Sequence, residues 1–130
     1  MRDEGIMSLL ESYRAGYNHG DQQRDFVYVK DAVEMMMFLL DHRDVGGIYN
    51  IGTGKARSWN DIAHSMFAAL NKKPVINYIP MPLQIRDKYQ YFTQADMSKL
   101  QKAGCTCQCR SLEESVGEYV RDFLAVTGLL

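Results

Sequence analysis

The chain has 130 residues, of which 46% are hydrophobic and 24% are charged, and its 15 basic residues nearly balance 16 acidic ones. This balance excludes a general attraction for nucleic acid or an anionic membrane, so any anion site must be local. No apolar run reaches the roughly 18 residues of a membrane span, and Met1 is followed by charged residues instead of a signal-peptide core. We therefore expect a cytoplasmic protein with no nucleic acid or membrane partner.

Short strands recur along the chain. The β-branched and aromatic run at 26–29 favours a strand, and residues 9–13, 48–51 and 74–79 are interpreted in the same way. Residues 48–51 are apolar enough to form a buried strand. Because helical stretches alternate with these strands, the sequence predicts the α/β fold class.

The first predicted helix begins at Asp31, which is placed as its cap, and runs to about residue 42. Its interior, residues 35–40, is apolar on nearly every side and contains three consecutive methionines. Such a helix is expected to be buried on more than one face. We interpret the methionines as core residues that fill irregular gaps.

Two later helices begin at capping boxes. Ser58 is followed three residues later by Asp61, and Ser111 is followed in the same way by Glu114. A shorter helix is predicted over 96–103. The helix after Ser58 carries a stripe with the 3.6-residue period of a buried face, formed by Trp59, Ile62, Ala63, Met66, Phe67 and Leu70.

Arg24 is the candidate anion-binding residue. Its guanidinium offers a planar fork of donors that suits phosphate oxygens. The alternative, which the local chemistry favours, is a surface arginine that pairs with Asp21 or Asp25.

The glycines at 52 and 54 form half of a phosphate-binding fingerprint. The third glycine is missing, since Arg57 stands in its place, and Ala56 after Lys55 excludes a P-loop. A tight structural turn is the preferred interpretation of this pair.

The remaining candidate groups leave alternatives open. Tyr89 and Tyr91 lie in a loop beside basic residues, where they either contact a ligand or cover the core. The three cysteines at 105, 107 and 109 would share one face of a strand, but they are closer together than zinc ligands and have no neighbouring histidine. We interpret them as reduced thiols and predict neither a metal site nor a catalytic triad.

Three motifs together resemble the C-terminal part of the extended short-chain dehydrogenase/reductases, in the NAD-dependent epimerase/dehydratase family. They are Arg-Asp-Phe-Val-Tyr-Val-Lys-Asp at 24–31, Gly-Ile-Tyr-Asn-Ile-Gly-Thr-Gly at 47–54 and Tyr-Gln-Tyr-Phe-Thr-Gln-Ala-Asp at 89–96. The third motif is most similar to enzymes that act on an ADP-linked heptose. The resemblance covers residues 8 to 125.

The resemblance implies that residues 1–130 form a single partial unit, the substrate-binding portion of a longer enzyme. The family's Gly-rich Rossmann turn, which binds NADP, and its catalytic Tyr-x-x-x-Lys do not occur in these 130 residues. The chain is therefore expected to be a fragment or a truncated product, inactive alone. Residues 28–55 would pack on the missing NADP-binding domain and leave the methionine-rich helix exposed here, and the complete enzyme would be a homo-oligomer.

The implied reaction inverts C6 of ADP-D-glycero-D-manno-heptose by NADP-mediated oxidation and re-reduction, for lipopolysaccharide core synthesis. Arg24 matches the arginine that binds the substrate's phosphates, and Tyr89 matches a substrate-binding tyrosine. The segment that passes the ADP portion is matched by Leu10, Glu11, Ser12 and Tyr13. The alternatives are a stand-alone nucleotide-sugar-binding module, another sugar-nucleotide epimerase or dehydratase, and a non-functional truncation.

Overall fold

The computed structural model describes residues 5–127 and has the predicted α/β composition. Its elements in chain order are β1 (Met7–Leu10), β2 (Gln23–Asp25), α1 (Val29–Asp41), β3 (Ala56–Ser58), α2 (Trp59–Ala69), β4 (Ile76–Ile79), α3 (Leu83–Arg86), α4 (Ser98–Lys102) and α5 (Leu112–Tyr119). A single π-helical turn, Val120–Leu124, continues α5.

The strands form two small sheets. β1 and β4 are parallel, with Leu10 opposite Ile79, and the backbone N–H of Glu11 extends this ladder by donating to the Ile79 carbonyl at 2.9 Å. β2 and β3 are antiparallel, with Arg24 opposite Arg57. A parallel bridge from Gln23 to Phe92 places the loop after α3 beside β2. This bridge brings the segments around residues 24 and 91 together, and a hydrogen bond from the Tyr13 backbone to the Tyr91 side chain attaches the segment that follows β1.

Helix α2 has the predicted stripe on its buried side. Ala63 and Phe67 are fully buried where α2 packs against α5 and β1. Both predicted capping boxes are present, since Ser58 and Ser111 each accept a hydrogen bond from the backbone of the residue three positions on, and that residue's carboxylate bonds back. These local predictions are confirmed.

Helix α1 differs from its prediction at its start and in its burial. It begins at Val29, with Tyr28 as its N-cap, and the predicted cap Asp31 lies instead in the first turn. The buried Asp31 carboxylate accepts hydrogen bonds from the backbone N–H and the guanidinium of Arg110. The prediction that Asp31 caps the helix was therefore wrong, because a residue distant in sequence uses its carboxylate.

Only one side of α1 is buried. Met35 packs with Leu100 and Cys105 in a small core cluster, whereas Met36 and Met37 are each 48% exposed. Burial on more than one face, as the local pattern predicts, is wrong for this structure. The exposure agrees with the expectation drawn from the family resemblance.

Two predicted strands do not form as expected. Regular pairing covers Gln23–Asp25 and stops before residues 26–29, which lead into α1. Residues 48–51 are extended but unpaired, and Ile48 is 90% exposed. A strand needs a hydrogen-bonded neighbour, and no strand of the described chain lies beside 48–51. No helix among residues 5–127 is long and apolar enough to cross a membrane.

Candidate functional site

Arg24 and Tyr89 are brought together by the fold. The guanidinium carbon of Arg24 lies 5.1 Å from the centre of the Tyr89 ring, within the range of a cation–π contact. The Arg24 guanidinium also donates to the Gln23 carbonyl at 2.7 Å. Among the ion pairs of residues 5–127, none joins Arg24 to Asp21 or Asp25. The alternative of a carboxylate-paired surface arginine is therefore wrong.

Asp25 is engaged elsewhere, which explains why it does not neutralise Arg24. Successive side chains of a strand point to opposite faces, and the Asp25 carboxylate accepts backbone hydrogen bonds from Thr53 at 2.8 Å, Gly54 at 2.9 Å and Ala95 at 3.0 Å. Partial burial raises the Asp25 pKa, but these bonds and one from the Thr53 hydroxyl outweigh it and hold the pKa below its ordinary value. The carboxylate is charged within its turn, and the Arg24 donors that do not bond to the Gln23 carbonyl are kept for other partners.

The glycine turn at 52–54 is a binding site for that internal carboxylate. A Cβ on Gly52 would lie 2.8 Å from the Asp25 carboxylate and 2.6 Å from the Ala95 Cβ, so only glycine fits there. Gly54 has a φ of +71°, which also favours glycine. Since the backbone N–H groups already bind Asp25, the residues of this turn do not fit the phosphates of NADP. The structural interpretation of the turn is confirmed.

Tyr91 connects the Arg24–Tyr89 contact to the segment at residues 10–13. Its ring lies 5.5 Å from the Tyr89 ring, and its buried hydroxyl accepts a hydrogen bond from the Tyr13 backbone N–H at 2.9 Å. Two more guanidinium groups join this cluster: Arg86 lies 3.4 Å from the centre of the Tyr13 ring, and Arg14 lies 5.5 Å from that of Tyr91. Of the two loop tyrosines, Tyr91 therefore covers the core, whereas Tyr89 contacts the candidate anion-binding residue.

Within the predicted segment, the side chains have different surroundings. The Tyr13 hydroxyl donates to the Glu11 carboxylate at 2.7 Å, and this bond raises the pKa of Tyr13. The backbone N–H of Ser12 donates to the His19 imidazole at 2.9 Å. Leu10 is half-buried at the end of β1. Among residues 5–127, Glu11 is the carboxylate that hydrogen-bonds to this arginine–tyrosine cluster, which is formed by Arg14, Arg24, Arg86, Tyr13, Tyr89 and Tyr91. Three guanidinium groups against one carboxylate leave the cluster with an excess of positive charge.

Gln22 supports the segment at residues 10–13, a role that no sequence motif predicts. It is only 1% exposed, and its side-chain amide donates to the carbonyls of Leu10 and Glu11, both at 3.3 Å. The backbone carbonyl of Gln22 accepts a hydrogen bond from the Trp59 backbone N–H at 3.2 Å. Gln22 therefore links the 10–13 segment to the strand that carries Arg24. Its flanking residues are polar, so no local pattern distinguishes it from a surface glutamine.

Two cavities lie away from this cluster. One, of about 530 Å³, is lined by the three cysteines together with residues of the glycine turn, and the other, of about 300 Å³, is an apolar groove between α2 and α5. Among residues 5–127, no group of three histidine, cysteine or acidic side chains is arranged to hold a metal ion.

Sequence comparison relates the chain to a known protein family. The profile of the NAD dependent epimerase/dehydratase family matches residues 6–52. Over 122 residues the chain is 52% identical to ADP-L-glycero-D-manno-heptose-6-epimerase from Nitratidesulfovibrio vulgaris strain DP4, a match that covers 94% of this chain and 38% of that protein. The chain thus spans little more than a third of the length of this relative.

Solved structures give the fold. RMD from Pseudomonas aeruginosa, complexed with NADPH, matches with a TM-score of 0.72 at 15% identity and covers 95% of this chain and 37% of its own. MoeE5 in complex with UDP-glucose and NAD matches with a TM-score of 0.67 at 27% identity and covers 92% and 38%. By fold, the chain is the C-terminal part of an extended short-chain dehydrogenase/reductase.

The chain therefore belongs to the NAD-dependent epimerase/dehydratase family. Within that family, the curated relatives that are 42–52% identical to it carry the name ADP-L-glycero-D-manno-heptose-6-epimerase.

Proposed function

We propose that this chain is the substrate-binding part of a cytoplasmic epimerase that inverts C6 of ADP-D-glycero-D-manno-heptose for lipopolysaccharide core synthesis. The observation that carries the proposal is the contact between Arg24 and Tyr89, in which a guanidinium with no carboxylate partner among the described residues lies over a loop tyrosine. The names of the curated relatives support the choice of an ADP-linked heptose.

In this proposal, different residues contact different parts of the substrate. Arg24 donates hydrogen bonds to the diphosphate oxygens, for which a guanidinium fork is suited. The Tyr89 ring holds the guanidinium in place, and its hydroxyl is left for the substrate. Leu10, Glu11, Ser12 and Tyr13 form the wall along the ADP portion, and Gln22 holds that wall against β2 through the carbonyls of Leu10 and Glu11.

NADP would supply the oxidation and re-reduction in the complete protein, which we propose to be a homo-oligomer. The turn at 52–54 does not fit its phosphates, because Asp25 occupies the backbone donors. We therefore assign the cofactor to the Rossmann domain of the complete protein and assign none of its contacts to this chain.

Residues 28–55 are proposed to pack on that Rossmann domain. The support is the exposed apolar face of α1, which includes Met36, Met37 and Leu40, together with the unpaired extended segment at 48–51. Exposed apolar patches and unpaired extended backbone are typical of surfaces that another domain covers.

The binding proposal is tested by Arg24→Ala in the 130-residue chain, with ADP titrated by calorimetry. Because hydrogen bonds to charged groups contribute about 1.5–3 kcal/mol, the dissociation constant should rise about 10- to 150-fold. Arg43→Ala is the matched control, since Arg43 is exposed and takes no part in the arginine–tyrosine cluster. Tyr89→Phe, which keeps the ring over which Arg24 lies, should weaken binding less than Tyr89→Ala.

Unchanged ADP affinity in Arg24→Ala would remove Arg24 from the site. Equal losses in Arg24→Ala and Arg43→Ala would mean that the chain attracts ADP only through its overall charge, and the proposed site would be wrong.

A further inference from the structure

Cys105 and Cys107 are placed as a pair. Their sulfur atoms lie 2.8 Å apart, and both thiols are free. The sulfurs of a disulfide are about 2.05 Å apart, so the two atoms need to approach by less than about 1 Å to bond. A single residue separates the two cysteines, so closing this bond requires no movement of distant segments.

The two thiols differ in their access to solvent. Cys105 is buried against Met35 and Leu100, where it forms part of the core cluster under α1. Cys107 is only partly buried and lines the cavity of about 530 Å³, which is open to solvent. One thiol can therefore be reached by a small reagent, while the other lies behind it in position to react second.

The cavity wall carries basic side chains that can contact a carboxylate of a reagent. Lys55, Arg57 and Arg110 all line it. Arg57 and Arg110 are paired with carboxylates, but Lys55 takes part in none of the ion pairs found among residues 5–127. A small peptide disulfide that carries carboxylates can therefore pair one of them with Lys55 as its sulfur reaches Cys107.

We propose that Cys105 and Cys107 form a reversible dithiol–disulfide site that is oxidised by low-molecular-weight anionic disulfides such as glutathione disulfide. This inference concerns the cysteine cavity and does not depend on the proposed ADP-sugar site.

The exchange proceeds in two balanced steps. The Cys107 thiolate attacks one sulfur of the reagent, the reagent's S–S bond breaks, and one glutathione leaves as a thiolate that takes up a proton. The Cys105 thiolate then attacks the Cys107 sulfur of the mixed disulfide, and the second glutathione leaves in the same way. Two protein thiols are oxidised, and one glutathione disulfide is reduced to two thiols.

The surroundings of Cys107 make this exchange slow at neutral pH. Burial, the neighbouring Cys105 thiol and the Glu34 carboxylate raise the pKa of Cys107 to about 11. Because the thiolate is the attacking form, the rate should rise on the order of tenfold per pH unit between pH 7 and 10. The charged groups around the three thiols are Asp25, Asp31, Glu34, Lys55, Arg57 and Arg110.

The test is to equilibrate the 130-residue chain with mixtures of reduced and oxidised glutathione at pH 9, quench with N-ethylmaleimide and count alkylated thiols by mass spectrometry. The wild-type chain should fall from three alkylated thiols to one, with no retained glutathione. Cys109→Ser should fall from two to none, Cys105→Ser should stop at a mixed disulfide, and Cys107→Ser should keep both of its thiols.

Two results would overturn the proposal. One is a wild-type chain that keeps three alkylated thiols at the most oxidising ratio. The other is a Cys107→Ser chain that still loses two thiols, since that would place the disulfide between Cys105 and Cys109. Cys107 is only partly buried, so its replacement by serine keeps the test interpretable even if Cys105→Ser unfolds.

Discussion

Arg24 and Asp25 are neighbours with opposite charge and separate structural roles. The alternation of side chains along β2 sends Arg24 to the tyrosine cluster and Asp25 into the turn at 52–54. The local sequence suggests that the two charges neutralise each other. They do not, because backbone N–H groups from two distant segments solvate the Asp25 carboxylate.

Asp25→Asn tests this role at the scale of the residue. Both carboxylate oxygens of Asp25 accept hydrogen bonds from backbone N–H groups. Because asparagine replaces one of these oxygens by an NH₂ group, that NH₂ group would face a backbone N–H donor instead of an acceptor. We expect a loss of about 2–3 kcal/mol in the free energy of unfolding at pH 7, measured by urea denaturation. Asp44→Asn is the matched control, since Asp44 is exposed and its side chain has no bond within the described residues.

The difference in the free energy of unfolding between the wild-type chain and Asp25→Asn should depend on pH. The pKa of Asp25 is held below its ordinary value in the folded state. The Asp25 carboxylate therefore stabilises the fold fully above the unfolded pKa of about 3.9, and this stabilisation disappears as the pH falls through the folded pKa. The stability difference between wild type and Asp25→Asn should therefore be full at pH 7 and smaller at pH 3. A difference that does not change with pH would mean that the Asp25 charge is not what the turn binds.

At the scale of the elements, local signals were reliable where the interaction itself is local. The capping boxes at Ser58 and Ser111 join residues three positions apart, and both form as predicted. The start of α1 was misplaced because the Asp31 carboxylate bonds to Arg110, which is 79 residues away. The predicted strand at 48–51 failed for a related reason, since pairing depends on a neighbour that the segment cannot specify.

The exposed face of α1 leads to a prediction about association. We expect the 130-residue chain to bind a hydrophobic dye and to self-associate in analytical ultracentrifugation, because Met36 and Met37 are half-exposed on one helix. The double variant Met36→Gln/Met37→Gln should reduce both signals. The control is Leu83→Gln/Ile85→Gln, which removes exposed apolar residues from α3.

A wild-type chain that remains a monodisperse monomer without dye binding would contradict the prediction for α1. Equal reductions in the two double variants would show that apolar exposure in general, and not this helix, drives association.

At the scale of the whole molecule, the chain combines the proposed substrate-binding cluster with the exposed segment that we propose to pack on a Rossmann domain. It spans 38% of the length of its Nitratidesulfovibrio vulgaris relative, and none of its eight tyrosines is followed four residues later by a lysine. The family's catalytic pair is therefore not supplied by these 130 residues.

We expect the purified 130-residue chain to show no epimerisation of ADP-D-glycero-D-manno-heptose with added NADP, because the motifs to which the family resemblance assigns proton transfer and cofactor binding do not occur in it. Product formation is followed by chromatographic separation of the two epimers, with the complete relative from Nitratidesulfovibrio vulgaris as the positive control. Turnover by the chain alone would contradict the proposal that this chain only binds the substrate and that catalysis requires the rest of the complete protein.

The sequence by itself determined the α/β class, the two capped helices, the buried stripe of α2 and the family, because each depends on residues close together in the chain or on motifs that are themselves continuous. Only the tertiary structure decided that Arg24 meets Tyr89, that Asp25 fills the glycine turn, that Gln22 supports the 10–13 segment and that one face of α1 is bare. The physical reason is that a charge or an apolar side chain is satisfied by whichever groups the fold brings near it. For these residues, those groups come from distant parts of the chain, or, on the α1 face, are absent from residues 5–127.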